Sequence, residues 1–215
     1  VRWFGTSSLR LGYALAGADL VVSPFIPSDT ARAGGIIFPI ARSLAESYDS
    51  HPGPTAQRLG AYLMQCAYHI GCTTAAIFLT SMAANPLAAK FAKDIAHVDL
   101  TWNAWALASC VPAAISVGVL PWLIFRLDPP ELKSTPEARA MAQRELQALG
   151  PMARQEVALV AILIAVIASW VTQSWHGLHP ALIAVGGVSL IVLSGVIDWD
   201  DVIGERRAWD ALLWF

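Results

Sequence analysis

The sequence predicts an all-α, polytopic membrane protein, and three observations predict it. The chain is 56% hydrophobic and only 14% charged, against about 45–50% and about 25% in soluble domains. Its charges gather between long apolar runs, and its 9 tryptophans include several near the ends of those runs. A polar, cationic segment, Pro24-Phe25-Ile26-Pro27-Ser28-Asp29-Thr30-Ala31-Arg32-Ala33-Gly34-Gly35, separates two of the apolar stretches. Its prolines remove backbone donors, while Ser28-Asp29-Thr30 supplies side-chain oxygens and a strong helix start. The net charge of -2 gives no reason to expect a nucleic-acid partner.

Each element follows from local pattern. Residues 8–26 are moderately apolar, with Arg10 and Asp19 as interruptions. After the break, Ala31–Tyr48 continues with Ile36, Ile37, Ile40 and Leu44 at helical spacing. Residues 1–48 are therefore expected to form a re-entrant helical hairpin, entering the membrane and returning on the same side. Ser47–Arg58, with Pro52, Gly53 and Pro54, reads as a loop. Leu59–Leu79 is long enough to span, and His69, Gly71, Thr73 and Thr74 give it a small, polar face. Thr80-Ser81-Met82-Ala83-Ala84-Asn85-Pro86 then reads as a second break, with helix resuming through Leu87–Lys93, so that 49–98 is a broken transmembrane helix. The competing reading is a proline-kinked helix packing small residues against a neighbour.

Trp105–Phe125, within 99–126, is the next span, with Trp102, Trp105 and Trp122 as interfacial anchors. Residues 127–156 are the most polar stretch, an extramembrane linker holding an amphipathic helix over Pro136–Leu149. Its basic residues weakly favour the cytoplasmic side. Val157–Trp175 carries no charge and pairs with Pro180–Ile197, giving an antiparallel transmembrane pair over 157–197. Residues 198–215 return to water and open another apolar segment. With its Val-Arg-Trp start, the chain reads as a fragment.

The two breaks carry the candidate chemistry. If Ser28-Asp29-Thr30 meets Thr80–Asn85, hydroxyls, an amide, unwound carbonyls and helix starts converge, a set suited to a small carboxylate and to a hard cation such as sodium. A cation in the membrane is expensive and faces a cavity or a partner. Arg32 is thus expected to neutralise a bound dianion, replace a coupling sodium ion, or pair with Asp29. His69 is a minor candidate for proton coupling, and His97, His176 and His179 read as interfacial. Cys66, Cys72 and Cys110 lack metal or redox spacing and are expected as small buried hydrophobes. With no nucleophile–base pair, paired carboxylates or phosphate loop in the sequence, no enzyme and no cofactor are expected.

The run Pro27-Ser28-Asp29-Thr30-Ala31-Arg32-Ala33-Gly34-Gly35-Ile36, with Pro39-Ile40 and Ser43-Leu44, resembles a signature of the divalent-anion:sodium symporter family. The resemblance is to its exchanger branch of citrate/succinate antiporters and 2-oxoglutarate/malate translocators. Ala83-Ala84-Asn85-Pro86-Leu87 resembles the family's unwound helix, and Asp198-Trp199 with Trp209–Phe215 resembles the entry to a second repeat. The resemblance implies an inverted-repeat, elevator-type secondary transporter of di- or tricarboxylates, usually a homodimer, in a bacterial inner membrane or plastid inner envelope. It places substrate on Ser28, Asp29 and Thr30, and with less security on Thr80, Ser81 and Asn85. A sodium or anion-charge site falls on Ser28 and Asp29, and Arg32 becomes a fixed positive charge. Exchange is the leading expectation; sodium symport and a non-transporting remnant are the alternatives. Position 29 departs from the family's Asn, and an ionised Asp29 would repel a dianion and turn to sodium or Arg32 instead. Half the binding site is expected to lie outside this chain, which would then not transport alone.

Overall fold

Buried positions at three- and four-residue spacing explain the first helix. Ser8, Leu11, Gly12, Leu15, Ala16 and Asp19 share one face of α1 (Ser8–Val22), capped by the Ser7 hydroxyl, which accepts from the Arg10 N–H at 3.4 Å. The computed structural model describes residues 6–206 and 209. The chain divides into two units, residues 1–149 and 150–215.

In the first unit the chain leaves α1 through an irregular segment. It re-enters helix at Ser28, the N-cap of α2 (Asp29–Arg32). A π-helical stretch, Ala33–Ile37, leads into α3 (Phe38–Glu46), with the Phe38 N–H donating to the Ala33 carbonyl. The widened turn has a local cause. Pro39 has no N–H to give the carbonyl one turn back, and its ring crowds that carbonyl, so the register slips by one residue. The hairpin expected over 1–48 is thus two helical arms around a break, the second arm continuous but bulged.

Ser50 ties the following loop to α4 (Gly60–Ile77), its hydroxyl accepting from the N–H groups of Leu59 at 3.2 Å and Gly60 at 2.9 Å. The buried face of α4 meets α1 and α3 in a core of Leu11, Leu15, Ile37, Leu44, Tyr62 and Leu63 with their neighbours. The second break follows. Helix resumes as α5 (Ala84–Ala96), earlier than expected, because Pro86 sits in the first turn, where no N–H is required of it.

α6 (Trp102–Leu127) runs straight through Pro112 and Pro121. A proline inside a helix opens the turn before it. Tyr13 and Tyr62 serve that stretch, donating their hydroxyls to the carbonyls of Gly118 at 2.6 Å and Pro121 at 3.2 Å. Trp102 and Trp105 are not the free interfacial anchors the sequence suggested. Trp102 is buried and its indole donates to Thr80 Oγ1 at 3.3 Å, while the Trp105 indole donates to the Ala76 carbonyl at 2.9 Å. Carbonyls and hydroxyls left unpaired at a helix break attract the nearest indole N–H. Of these three tryptophans, Trp122 is the exposed one.

The polar linker is less free than expected. Leu132 and Glu131 N–H groups donate to the Arg58 and Gln57 carbonyls, both at 3.0 Å, and Thr135 donates to Thr6 at 3.2 Å. α7 (Pro136–Leu149) begins against the Tyr48 hydroxyl, which accepts from the Ala138 N–H at 2.7 Å.

In the second unit α8 (Arg154–Val171) packs against α10 (Pro180–Leu193), with the short α9 (Gln173–His176) between them and α11 (Trp199–Gly204) after. Gly187 lets the helices approach, since a Cβ there would stand 2.6 Å from Val166 Cγ2. The Trp170 indole closes the pair on the Pro180 carbonyl at 3.2 Å.

Among the described residues two helices, α6 and α8, are long and apolar enough to cross a membrane, with mean hydropathy of 1.9 and 1.8, yet only 17% and 6% of these windows are buried. Their outer faces carry Leu107, Val111, Ile115, Val160 and Ile164 in the open. In water such faces would collapse inward; against lipid they need no cover. α4, also read as a span, falls below both in hydropathy because it carries Gln65, His69, Thr73 and Thr74.

Gly12 offers a test of the α1–α4 packing. A Cβ there would lie 2.3 Å from the Tyr62 hydroxyl, which is buried and already committed to Pro121. Gly12→Ala is expected to destabilise the protein by about 1–3 kcal/mol, read as a lowered thermal midpoint of the detergent-purified, full-length protein.

Candidate functional site

The two breaks meet at Arg32. Its side chain is 0% exposed, and its N–H groups all point to oxygen. Nε donates to Asp19 Oδ1 at 2.7 Å. Nη1 reaches the carbonyls of Ile26 in the first break and Ser81 in the second, both at 3.3 Å. Nη2 contacts Asp29 Oδ1 at 3.1 Å, Thr74 Oγ1 at 3.1 Å and the Gly71 carbonyl at 3.4 Å. One guanidinium thus ties both arms of the hairpin, its tip, α4 and the second break. Thr74 completes the link by donating its hydroxyl to Asp19 Oδ2.

The two carboxylates on Arg32 differ in setting. Asp19 is 2% exposed, held between Arg32 and Thr74. Asp29 is 32% exposed, at the start of the second arm. Of the three expected options for Arg32, pairing with Asp29 is present in the structure. The charge is not bare, because Asp19 matches it from inside.

Ser28 and Thr30 stand exposed on either side of Asp29, with the Ser28 hydroxyl accepting from the Ala31 N–H at 3.2 Å. The second-break residues turn inward. Thr80 donates its hydroxyl to the Pro24 carbonyl at 2.8 Å, bridging the two breaks directly. Asn85 donates its side-chain amide to the carbonyls of Ala75 at 2.8 Å and Phe78 at 2.9 Å, occupying acceptors that the end of α4 leaves free. Ser81 is buried, and its hydroxyl has no partner among the described residues. In this structure Thr80 and Asn85 therefore hold the break in shape. The proposed sodium ligand Asp29 spends its Oδ1 on the guanidinium.

Sequence reasoning missed Asp19, Gly71 and Thr74. In sequence Asp19 reads as an interruption, yet it falls on the same stripe as Leu11, Leu15 and Ala16, where an acid must answer a buried cation. Gly71 has a steric role, since a Cβ there would lie 3.3 Å from Asp29 Oδ1. His69 is exposed, edge-on to Tyr68 with ring centroids 5.2 Å apart, and stands outside this cluster. Cys66 is buried as expected, but Cys72 and Cys110 are exposed. On a lipid-facing surface an apolar residue has no need of burial.

The exposed apolar faces of α6 and α8, and in the first unit a buried ionic cluster at two helix breaks, mark an integral membrane protein. Comparison with known proteins agrees. The model of the family described as the sodium:sulfate symporter transmembrane region matches residues 1–215, and the chain belongs to that family. It is 44% identical, over all of its own length and 45% of the relative's, to the putative malate transporter YflS of Bacillus subtilis (strain 168). It is 38% identical to the chloroplastic dicarboxylate transporter 1 of Arabidopsis thaliana, covering 100% of this chain and 39% of that protein. Identity to the inner membrane protein YbhI of Escherichia coli (strain K12) is 36%, over 98% of this chain and 44% of that protein. The chain spans less than half the length of these curated relatives.

Loss of one member of a buried ion pair leaves its partner uncompensated. Arg32→Gln is expected to destabilise the full-length protein by about 3–5 kcal/mol. The double variant Asp19→Asn/Arg32→Gln should recover part of that loss, seen in paired thermal unfolding curves.

Proposed function

We propose that this chain is part of a secondary transporter that exchanges dicarboxylates, taking one substrate carboxylate at the Ser28–Thr30 tip. The carrying observation is the seat of Arg32. The carbonyls of Ile26, Gly71 and Ser81, the Thr74 hydroxyl and the carboxylates of Asp19 and Asp29 surround its guanidinium. Carbonyl, hydroxyl and carboxylate oxygens are the ligands a hard cation takes. Here a cation tethered to the chain fills that seat, which favours a carrier without a mobile sodium ion. Charges fixed in a moving element also cannot be left behind, so its empty return through the membrane is costly and loaded return is preferred.

The substrate class is supported by the relatives, a putative malate transporter and chloroplastic dicarboxylate transporters. On this reading the hairpin and second break supply one side of the site in an elevator-type, inverted-repeat homodimer, and the other side comes from outside this chain. The membrane is a bacterial inner membrane or a plastid inner envelope.

Labelled malate or 2-oxoglutarate uptake by the completed reading frame in proteoliposomes tests this. Uptake is expected only into vesicles preloaded with dicarboxylate, and at the same rate with and without sodium. Sodium-driven uptake into empty vesicles would overturn exchange; no uptake in any arm would overturn the dicarboxylate reading.

A further inference from the structure

We propose that Asp29 is an internal competitor for substrate: its carboxylate occupies the position on Arg32 Nη2 that a substrate carboxylate takes, while Asp19 stays as the permanent counter-ion. The inference rests on the dicarboxylate reading above and adds to it a residue that sets affinity.

Three features of the cluster carry it. First, the guanidinium has two carboxylates of unlike standing. Asp19 is sealed, engages Nε at 2.7 Å and also takes the Thr74 hydroxyl on its second oxygen. Asp29 is held by Oδ1 at 3.1 Å and keeps about a third of its surface in contact with solvent. Losing Asp19 would strand a buried charge, whereas Asp29 can swing outward and be hydrated. Second, Asp29 is the solvent-reaching partner of Nη2, since Gly71 and Thr74, its other contacts there, are buried. An incoming anion reaches that nitrogen by the path Asp29 now fills.

Third, the neighbours suit a carboxylate that replaces Asp29. Ser28 and Thr30 present hydroxyls on the exposed side of the tip, and Arg32 offers the charge-assisted N–H that a carboxylate prefers over a neutral donor. The exchange conserves ion pairing. One carboxylate leaves Nη2 for water, another arrives from water, and the guanidinium is never without Asp19. No proton needs to move.

One substitution read against two anions separates this competition from simple repulsion between Asp29 and a dianion. Asp29→Asn removes both the competitor and the negative charge. Competition for one seat costs a monocarboxylate as much as a dicarboxylate, whereas repulsion grows with the charge of the anion. In exchange assays with the completed reading frame, Asp29→Asn should lower the KM for malate by roughly three- to tenfold, the scale of one partly exposed charge-assisted bond. It should lower the inhibition constant of lactate against malate exchange by a similar factor, and maximal rates should change less than KM. An unchanged or raised KM in Asp29→Asn overturns the proposal. A fall for malate with a clearly smaller one for lactate assigns the effect to repulsion and overturns it equally. A wild-type protein without malate exchange defeats the functional reading itself, an outcome distinct from an active wild type with the wrong response in the variant.

Discussion

A guanidinium sealed away from water is tolerable only when its charge is matched and each of its N–H groups finds an acceptor. Arg32 meets both conditions with oxygens drawn from α1, the first break, α2, α4 and the second break. Those five pieces run from Asp19 to Ser81, and this one side chain joins them. The helical register of α1 brings Asp19 to the inner face, while α4 contributes Gly71 and Thr74 from its own buried face. The breaks supply carbonyls because their backbone is not spent on helix hydrogen bonds. Helix interruption, normally costly inside a membrane, here produces the acceptors that a buried cation requires.

This cluster inverts the polarity familiar from soluble proteins. Charge and hydrogen-bonding capacity lie inside the first unit, and large apolar side chains face outward on α6, α8 and α10. The same inversion explains the exposed Cys72 and Cys110 and the inward turn of Trp102 and Trp105. It also explains the economy of the second break. Thr80 and Asn85 satisfy acceptors there, leaving Ser28 and Thr30 as the outward-facing hydroxyls of the candidate site. A membrane site assembled this way has a rigid, internally paired floor and a small exposed tip.

Much of the architecture was legible in the chain because its signals are local. Proline, glycine and short polar runs marked both breaks, and the charge-free run from Val157 marked α8. The linker helix fell over Pro136–Leu149 as its amphipathic pattern required. The π-helical turn before Pro39 was less visible, and the start of α5 ahead of Pro86 ran against the usual avoidance of helix before proline. At Pro86 the tolerance of the first turn outweighed that preference, and at Pro39 the missing N–H and the crowding ring widened the turn without stopping the helix.

By itself the sequence determined the class of molecule, the places where helix must stop, and the cation at the hairpin tip, since composition, backbone chemistry and the cost of a membrane charge are properties of residues in order. Only the tertiary structure decided how that cation is answered. Asp19 precedes Arg32 by 13 positions and Thr74 follows it by 42. Nothing in local spacing couples them; they meet because the buried faces of α1 and α4 pack together. The difference between a sealed counter-ion and a solvent-facing one, Asp19 against Asp29, is likewise a matter of burial, which belongs to the folded chain alone.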